Sequence, residues 1–237
     1  MRAFAFAVFD LVLYALWVTP VPGKRESKMN RKATVFIVDD DPAIRDQLAA
    51  LLGLADVEIE CCASGEDFLE RCAWPPRSCA VVDVDSPGID GLQLRAELSR
   101  RGIPLPIIFL TGHGDIPMSV RAIKAGAFDF IAKPVAASEL IASVRAALDE
   151  SERLNRRIDR MRNASAQLGS LTERERDVLR LAVQGLANKV IARKLGISHR
   201  TVEIHRARIM HKTGAETLLD LARLVEDCPG FCARPEA

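Results

Sequence analysis

From Ala33 onward, five short aliphatic runs alternate with stretches that carry apolar residues at helical spacing, and no other feature constrains the fold as tightly. The runs are VFIV, VEIECC, AVV, PIIFL and FDFIA. For the most part they are too continuously apolar to keep one face in water, as expected of strands in a parallel sheet covered by helices. Pro42 stands at an early helix position ahead of Ile44, Leu48, Leu51 and Leu52, with Gly53 after them. Further helices are expected over Leu92–Arg100, Met118–Lys124 and Ser138–Leu148. The pattern predicts an α/β unit, a (βα)5 doubly wound parallel sheet over residues 33–150.

Four of these runs end on a group with its own chemistry: Asp39 and Asp40 after VFIV, Asp83 after AVV, Thr111 after PIIFL and Lys133 after FDFIA. Parallel strands place their carboxyl ends on one edge, where ligands bind, so these residues are expected to meet. Each alone is ordinary, since a strand-end Asp is commonly a turn or helix-cap residue. Together they describe a phosphoryl site. An Asp pair beside a third carboxylate calls for a cation, and Mg2+ suits it because Mg2+ takes one or two carboxylates and completes its octahedron with water and phosphate oxygens. Asp83 is then a carboxylate nucleophile. Lys133 supplies a point charge and Thr111 a hydroxyl for the phosphoryl oxygens.

Past Leu148 the helical stripe continues through Leu154, Ile158 and Met161 among charged residues, so 151–168 is read as a helical linker. Asn163 to Ser170 loses the period and is the expected hinge. A second, all-α unit over 169–227 begins with T-E-R-E at Thr172, a capping box with Glu175. Its first helix is expected to end at Gly185. Asn188 is expected to cap a short helix to Leu195, and after Gly196 Ser198 caps a longer one to about Lys212, ended by Gly214. Helix, glycine turn, helix is a helix-turn-helix layout. In the long helix Val202 and Ile209 face inward. Arg200, Thr201, Glu203, Ile204, Arg206, Ala207 and Arg208 are read as the DNA-contacting set, with Glu203 a specificity candidate through a cytosine amino group. Lys189, Arg193 and Lys194 on the preceding helix are expected on phosphates, and His205 as packing or a phosphate contact.

The charge is nearly balanced, with Lys+Arg 33 against Asp+Glu 32, but acidic residues gather in the first half and basic ones between Arg153 and Lys212, which suggests two domains with different partners. Six cysteines without a CxxC pair argue against a zinc site or a disulfide framework. Residues 1–28 hold an apolar run from Ala3 to Val18 interrupted by Asp10. Initiation at Met29 is preferred over a membrane anchor for this extension, because the hydrophobic signal is weak. Residues 228–237 are read as a tail.

VDDD, VDVDSPGIDG, LTGHGDIPMSV and AIKAGAFDFIAKP resemble the receiver domain of two-component response regulators, over about residues 33–150. The stretch LTERERDVLRLAVQGLANKVIARKLGISHRTVEIHRARIMHKTGA is similar to the LuxR-type helix-turn-helix. Together they point to the NarL/FixJ class of transcription regulators. The resemblance implies a cytoplasmic protein whose Asp83 receives a phosphoryl group from a sensor histidine kinase. Mg2+ would be held by Asp40, Asp83, the Asp85 backbone carbonyl and, through water, Asp39. It further implies Thr111 and Phe130 as switch residues, homodimerisation on phosphorylation, and binding to double-stranded promoter DNA, with RNA polymerase as a further partner. The chain departs from the family pattern at Ser86, where an apolar residue is usual, and at Asp85, an extra carboxylate; an altered lifetime of the phosphorylated form is expected. Two other readings compete. One makes the receiver a phosphorylation-independent dimerisation module. The other takes Asp83-Val84-Asp85 as the DxD of a haloacid-dehalogenase-like phosphatase, whose acidic metal pair should follow the lysine, whereas Asp39 and Asp40 precede everything.

Overall fold

The computed structural model describes residues 32–53, 55–71, 74–84, 86–112 and 126–231. The apolar extension over 1–28, the helix expected at Met118–Lys124, Asp85 and most of the tail lie outside them. The chain divides into two compact units with the boundary at Arg156 and Arg157. Among the described residues no helix is long and apolar enough to cross a membrane.

The first unit is a five-stranded parallel sheet: β1 (Ala33–Val38), β2 (Val57–Cys62), β3 (Ser78–Asp83), β4 (Ile107–Thr111) and β5 (Asp129–Ala132), in the order β2-β1-β3-β4-β5. Four described helices belong with it: α1 (Pro42–Leu52), α2 (Gly65–Leu69), α3 (Gly91–Arg100) and the start of α4 (Ala137–Gly169). Side chains alternate between the two faces of each strand, and here both sets are apolar. Val35, Ile37, Val81, Ile108, Leu110 and Ile131 pack with Leu48 and Leu52 of α1 and Leu140 and Val144 of α4. The intervening Phe36, Val38, Ala80, Val82, Ile107 and Phe109 pack with Phe68 of α2 and Leu94 and Leu98 of α3. This double burial is why the central strands read as unbroken aliphatic runs. The edge strands β2 and β5 are the exceptions: Glu58, Asp129 and Ala132 are exposed and Ile59 is only partly buried.

Local chemistry sets the helix ends. Asp41 caps α1 by accepting from the Ala43 N–H at 2.8 Å, with Pro42 in the first helical turn. Asp90 caps α3 through the Gln93 N–H at 2.7 Å. The short α2 was absent from the expected helices, although Ser64 caps it through the Asp67 N–H at 3.2 Å and thus marks its start in the sequence.

In the second unit, α5 (Glu173–Ala182), α6 (Asn188–Leu195), α7 (His199–Thr213) and α8 (Leu218–Glu226) enclose Val178, Leu179, Ile191, Val202, Ile209, Leu221 and Phe231. Gly185, Gly196 and Gly214 take positive φ where helices end, and the Ser198 hydroxyl accepts from the Thr201 N–H at 3.0 Å as expected. Two expectations fail. The hinge expected over Asn163 to Ser170 is helical through Gly169, because Ala164 and Leu168 are buried and Leu168 joins the second core. Asn188 does not cap α6: Ala187 occupies the cap without a side-chain bond, and the Asn188 Oδ1 instead accepts from Arg206 Nη1 at 2.9 Å.

Glu175 does more than cap α5. Its Oε2 accepts from the Thr172 N–H and from Lys212 Nζ, both at 2.8 Å, joining the start of α5 to the end of α7 while the residue is 2% exposed. Burial alone would raise the carboxyl, but Lys212 and the Thr172 donors outweigh it and hold it at about 2. The unfolded value is about 4.3. The resulting stability is therefore present above roughly pH 4.3 and is lost as pH falls towards the folded value. We expect amide exchange of α7 in the full chain to accelerate across that acid window. Glu175→Gln should be less protected at neutral pH and should change less through the window; parallel profiles for both proteins would contradict the assignment.

Candidate functional site

In a sheet of order 2-1-3-4-5 the chain reverses its direction of travel between β1 and β3, and the crevice at their carboxyl ends is the natural ligand site. Asp39 follows β1, Asp83 ends β3, Thr111 ends β4 and Lys133 follows β5. Strand register brings them together: Val38 lies opposite Val82, Asp83 opposite Leu110 and Thr111 opposite Ala132. One carboxylate oxygen from each of Asp39, Asp40 and Asp83 lies within 4.8 Å of the others. Lys133 Nζ reaches Asp39 Oδ2 and Asp83 Oδ2, each at 3.2 Å. Asp39, Asp40, Asp83 and Lys133 thus converge. Thr111 is buried in the floor, and its carbonyl accepts from the Lys133 N–H at 2.7 Å. Phe130 is partly buried on the α2–α3 side of the sheet, opposite Phe109 in the neighbouring strand. Asp85 lies outside the described residues.

Burial is graded across the three carboxylates: Asp39 is 1% exposed, Asp83 9%, and Asp40 faces solvent. Asp39 is the anchored member. Its Oδ1 accepts from the Asp41 N–H at 3.0 Å, and Arg45 Nη1 donates to its carbonyl at 2.7 Å. Burial alone would lower the Lys133 ammonium, but Asp39 and Asp83 outweigh it and hold it above the usual lysine value. Two carboxylates at 4.8 Å repel by roughly 3 to 4 kcal/mol at an effective dielectric of about 20, and one ammonium leaves the cluster net negative. Hard carboxylate oxygens with residual negative charge and an exposed member fit Mg2+.

The second candidate surface lies on α7. Arg200, Ile204, Ala207 and Arg208 are exposed along one stripe, and Ile204, a large apolar residue, is 41% exposed. Glu203 on that stripe is engaged by its own helix, with Arg200 Nη1 at 3.2 Å and His199 Nδ1 at 3.5 Å. Lys189, Arg193 and Lys194 are exposed on α6. Thr201 belongs to the cap, its hydroxyl 2.8 Å from that of Ser198. Arg206 stands apart from the stripe because its guanidinium is bonded to Asn188. The signal was in the spacing, since Val202, Arg206, Ile209 and Thr213 form an i, i+4, i+7, i+11 series and the other three are buried. His205 is partly buried, and its Nδ1 has no hydrogen-bond partner among the described residues.

Residues 35–145 match the family model for the response regulator receiver domain, and residues 169–225 match that of bacterial regulatory proteins of the luxR family. The transcriptional regulatory protein FixJ of Azorhizobium caulinodans is 43% identical over 83% of this chain and 93% of its own. The chain belongs to the NarL/FixJ-type response regulators. The transcriptional regulatory protein TdiR of Thauera aromatica is 39% identical over 87% of this chain and 91% of its own. Among solved structures, the response regulator StyR is 39% identical, covers 83% of this chain and 99% of its own, and superposes with a TM-score of 0.71. Full-length FixJ from B. japonicum is 36% identical, covers 84% and 98%, and gives 0.51. The response regulator is thus a DNA-binding transcription regulator of a two-component system, and the phosphatase reading is not favoured.

Lys133 carries the electrostatic balance of the cluster. We expect Lys133→Met to lower receiver stability by about 2 kcal/mol, because buried Asp39 loses its cation. Added Mg2+ should recover part of that loss. Denaturant midpoints with and without Mg2+ check this, and an unchanged midpoint in the absence of Mg2+ would refute it.

Proposed function

We propose that Asp83 accepts a phosphoryl group from the phosphohistidine of a sensor kinase and that the aspartyl phosphate strengthens binding of α6 and α7 to promoter DNA. The observation that carries this reading is the cluster of Asp39, Asp40 and Asp83 with Lys133 bridging two of them at the β1/β3 crevice. An Asp83 oxygen forms a bond to phosphorus as the bond from phosphorus to the kinase imidazole nitrogen breaks, and the electron pair leaves on that nitrogen. A carboxylate nucleophile has no proton to lose, so no strong general base is needed. Asp39, Asp40 and Asp83, with the Asp85 backbone carbonyl, would hold Mg2+, which supplies charge neutralisation on the phosphoryl oxygens. Lys133 keeps its hold on Asp39 and turns its second contact from Asp83 to a phosphoryl oxygen. Thr111 donates its hydroxyl to another. The receiver catalyses only this transfer and its own dephosphorylation, and Asp85 and Ser86 tune how long the phosphoryl group stays.

The coupling is a shift between two receiver conformations, with Thr111 and Phe130 as the moving parts and homodimerisation of the cytoplasmic protein favoured in the phosphorylated state. On DNA, Arg200, Glu203, Ile204, Ala207 and Arg208 face base edges and neighbouring phosphates, with Ile204 and Ala207 suited to thymine methyls. Lys189, Arg193 and Lys194 fix register on the backbone. Thr201 supports the cap at the entry of α7, and Arg206 holds α7 against α6. RNA polymerase is the further partner through which bound protein acts on transcription.

A small acyl phosphate with Mg2+ should add one phosphoryl group to the wild type and none to Asp83→Asn, as read by intact mass, and should tighten promoter binding only in the former. Phosphorylation without any change in DNA affinity would instead favour the phosphorylation-independent dimerisation module. The two arginines of α7 should separate by salt dependence. Arg208→Ala is expected to reduce the slope of log affinity against log salt by about 1, the value for one lost phosphate contact. Arg206→Ala should keep the slope and lower the melting temperature; a reduced slope would make Arg206 a phosphate contact.

A further inference from the structure

Gly91, at the start of α3, comes back to the end of β3. Its N–H donates to the Val84 carbonyl at 3.4 Å. Gly91 lies so close to the site floor that a Cβ there would stand 3.2 Å from the Asp83 carbonyl oxygen and 2.9 Å from the Phe109 ring. Glu66 holds the chain just before Gly91: its Oε1 accepts from the Ile89 N–H at 3.0 Å. Gly88, at a φ of 86°, faces the same carboxylate, and a Cβ there would come within 2.8 Å of Glu66 Oε1. The Ser86 hydroxyl adds no hydrogen bond, since it is buried without a partner among the described residues. Glu66 is itself placed by α2, next to its Ser64 cap, and its carboxyl is held below the usual range by its own N–H, Ser64 and Ile89.

We propose that Glu66 is a positioning residue for the metal and phosphoryl site, holding the Ile89 N–H so that Gly91 stays packed against the Asp83 backbone and Asp83 is preset for the cation. The inference rests on the reading of Asp39, Asp40 and Asp83 given above. Groups that orient a ligand from outside its contact shell affect metal affinity without touching the metal. The carboxylate acts here as a hydrogen-bond acceptor and not as a charge, so an amide oxygen at the same place should serve.

The test is Mg2+ binding to the unphosphorylated full-length protein by calorimetry, with exchange of the Ile89 amide measured alongside. Glu66→Ala should weaken Mg2+ binding roughly tenfold and speed Ile89 exchange. Glu66→Gln should stay near wild type, and Gly88→Ala, which crowds the same carboxylate, should behave like Glu66→Ala. Equal Mg2+ affinity in wild type and Glu66→Ala overturns the proposal while leaving the phosphoacceptor reading intact. Equal weakening in Glu66→Gln and Glu66→Ala removes the hydrogen bond as the cause and also overturns it. A wild type that neither binds Mg2+ nor accepts a phosphoryl group at Asp83 takes down the underlying reading as well.

Discussion

Three carboxylates gathered within 4.8 Å set the terms for the receiver unit. Such a cluster repels itself by several kcal/mol, comparable to the net stability of a whole domain. The fold tolerates it through placement. Asp39 and Asp83 extend from the two central strands, whose aliphatic side chains are covered on both faces, so the backbone carrying the charges is over-determined by packing that has nothing to do with them. Lys133 then offsets part of the repulsion from the end of β5, with two strands between it and β1, which is feasible only because the parallel register brings all these strand ends to one level. The sheet order and the charge cluster therefore depend on each other. A different order would separate Lys133 from Asp39, and without the lysine Asp39 would be a buried, uncompensated anion.

The second unit uses the same device for a different purpose. Glu175 is a buried carboxylate that accepts from one backbone amide and one ammonium, closing α5 onto the end of α7. Arg206 and Asn188 make a second polar strut, between α7 and α6. Both fix angles between helices whose apolar contacts alone would allow sliding. The stripe of α7 proposed to contact DNA would enter a groove about one helix wide, so on that reading the orientation of the helix matters more than its own stability. Arg206 lies on the inward series with Val202 and Ile209, and its Nη1 donates to Asn188 across the two helices.

Legibility in the sequence followed the range of the interaction. The three inner strands were readable because double burial writes itself as unbroken aliphatic runs, and the strand-end groups were readable because each is adjacent in sequence to its run. Caps at Thr172 and Ser198 were readable because a cap acts over three residues. The missed features are long-range or competitive. Lys212 and Glu175 are 37 residues apart, and no local rule pairs them. Asn188 was expected at a cap because Asn suits caps in general, but a bond to a residue 18 positions later outcompeted that local preference. The expected hinge failed for a related reason: polar composition near Asn163 lowers helix propensity, yet burial of Ala164 and Leu168 outweighs it.

A switch needs a part that stays and a part that yields, and the graded burial of the site separates the two. Asp39 is anchored by Lys133, by the Asp41 amide and through its carbonyl by Arg45, so it belongs to the frame. Asp40 faces solvent and can exchange water for a ligand. Asp83 lies between them, buried enough to exclude most water yet open enough to reach the phosphoryl donor proposed for it. Lys133 is shared between the fixed carboxylate and the reactive one, so charge added at Asp83 is felt at Lys133 and through it along β5, where Phe130 is only partly buried. Partial burial of that ring matters physically: a fully packed aromatic would resist rotation and an exposed one would gain nothing by turning inward. The deep core therefore fixes the geometry of the site, and the sensitivity of the protein to phosphorylation resides at its rim.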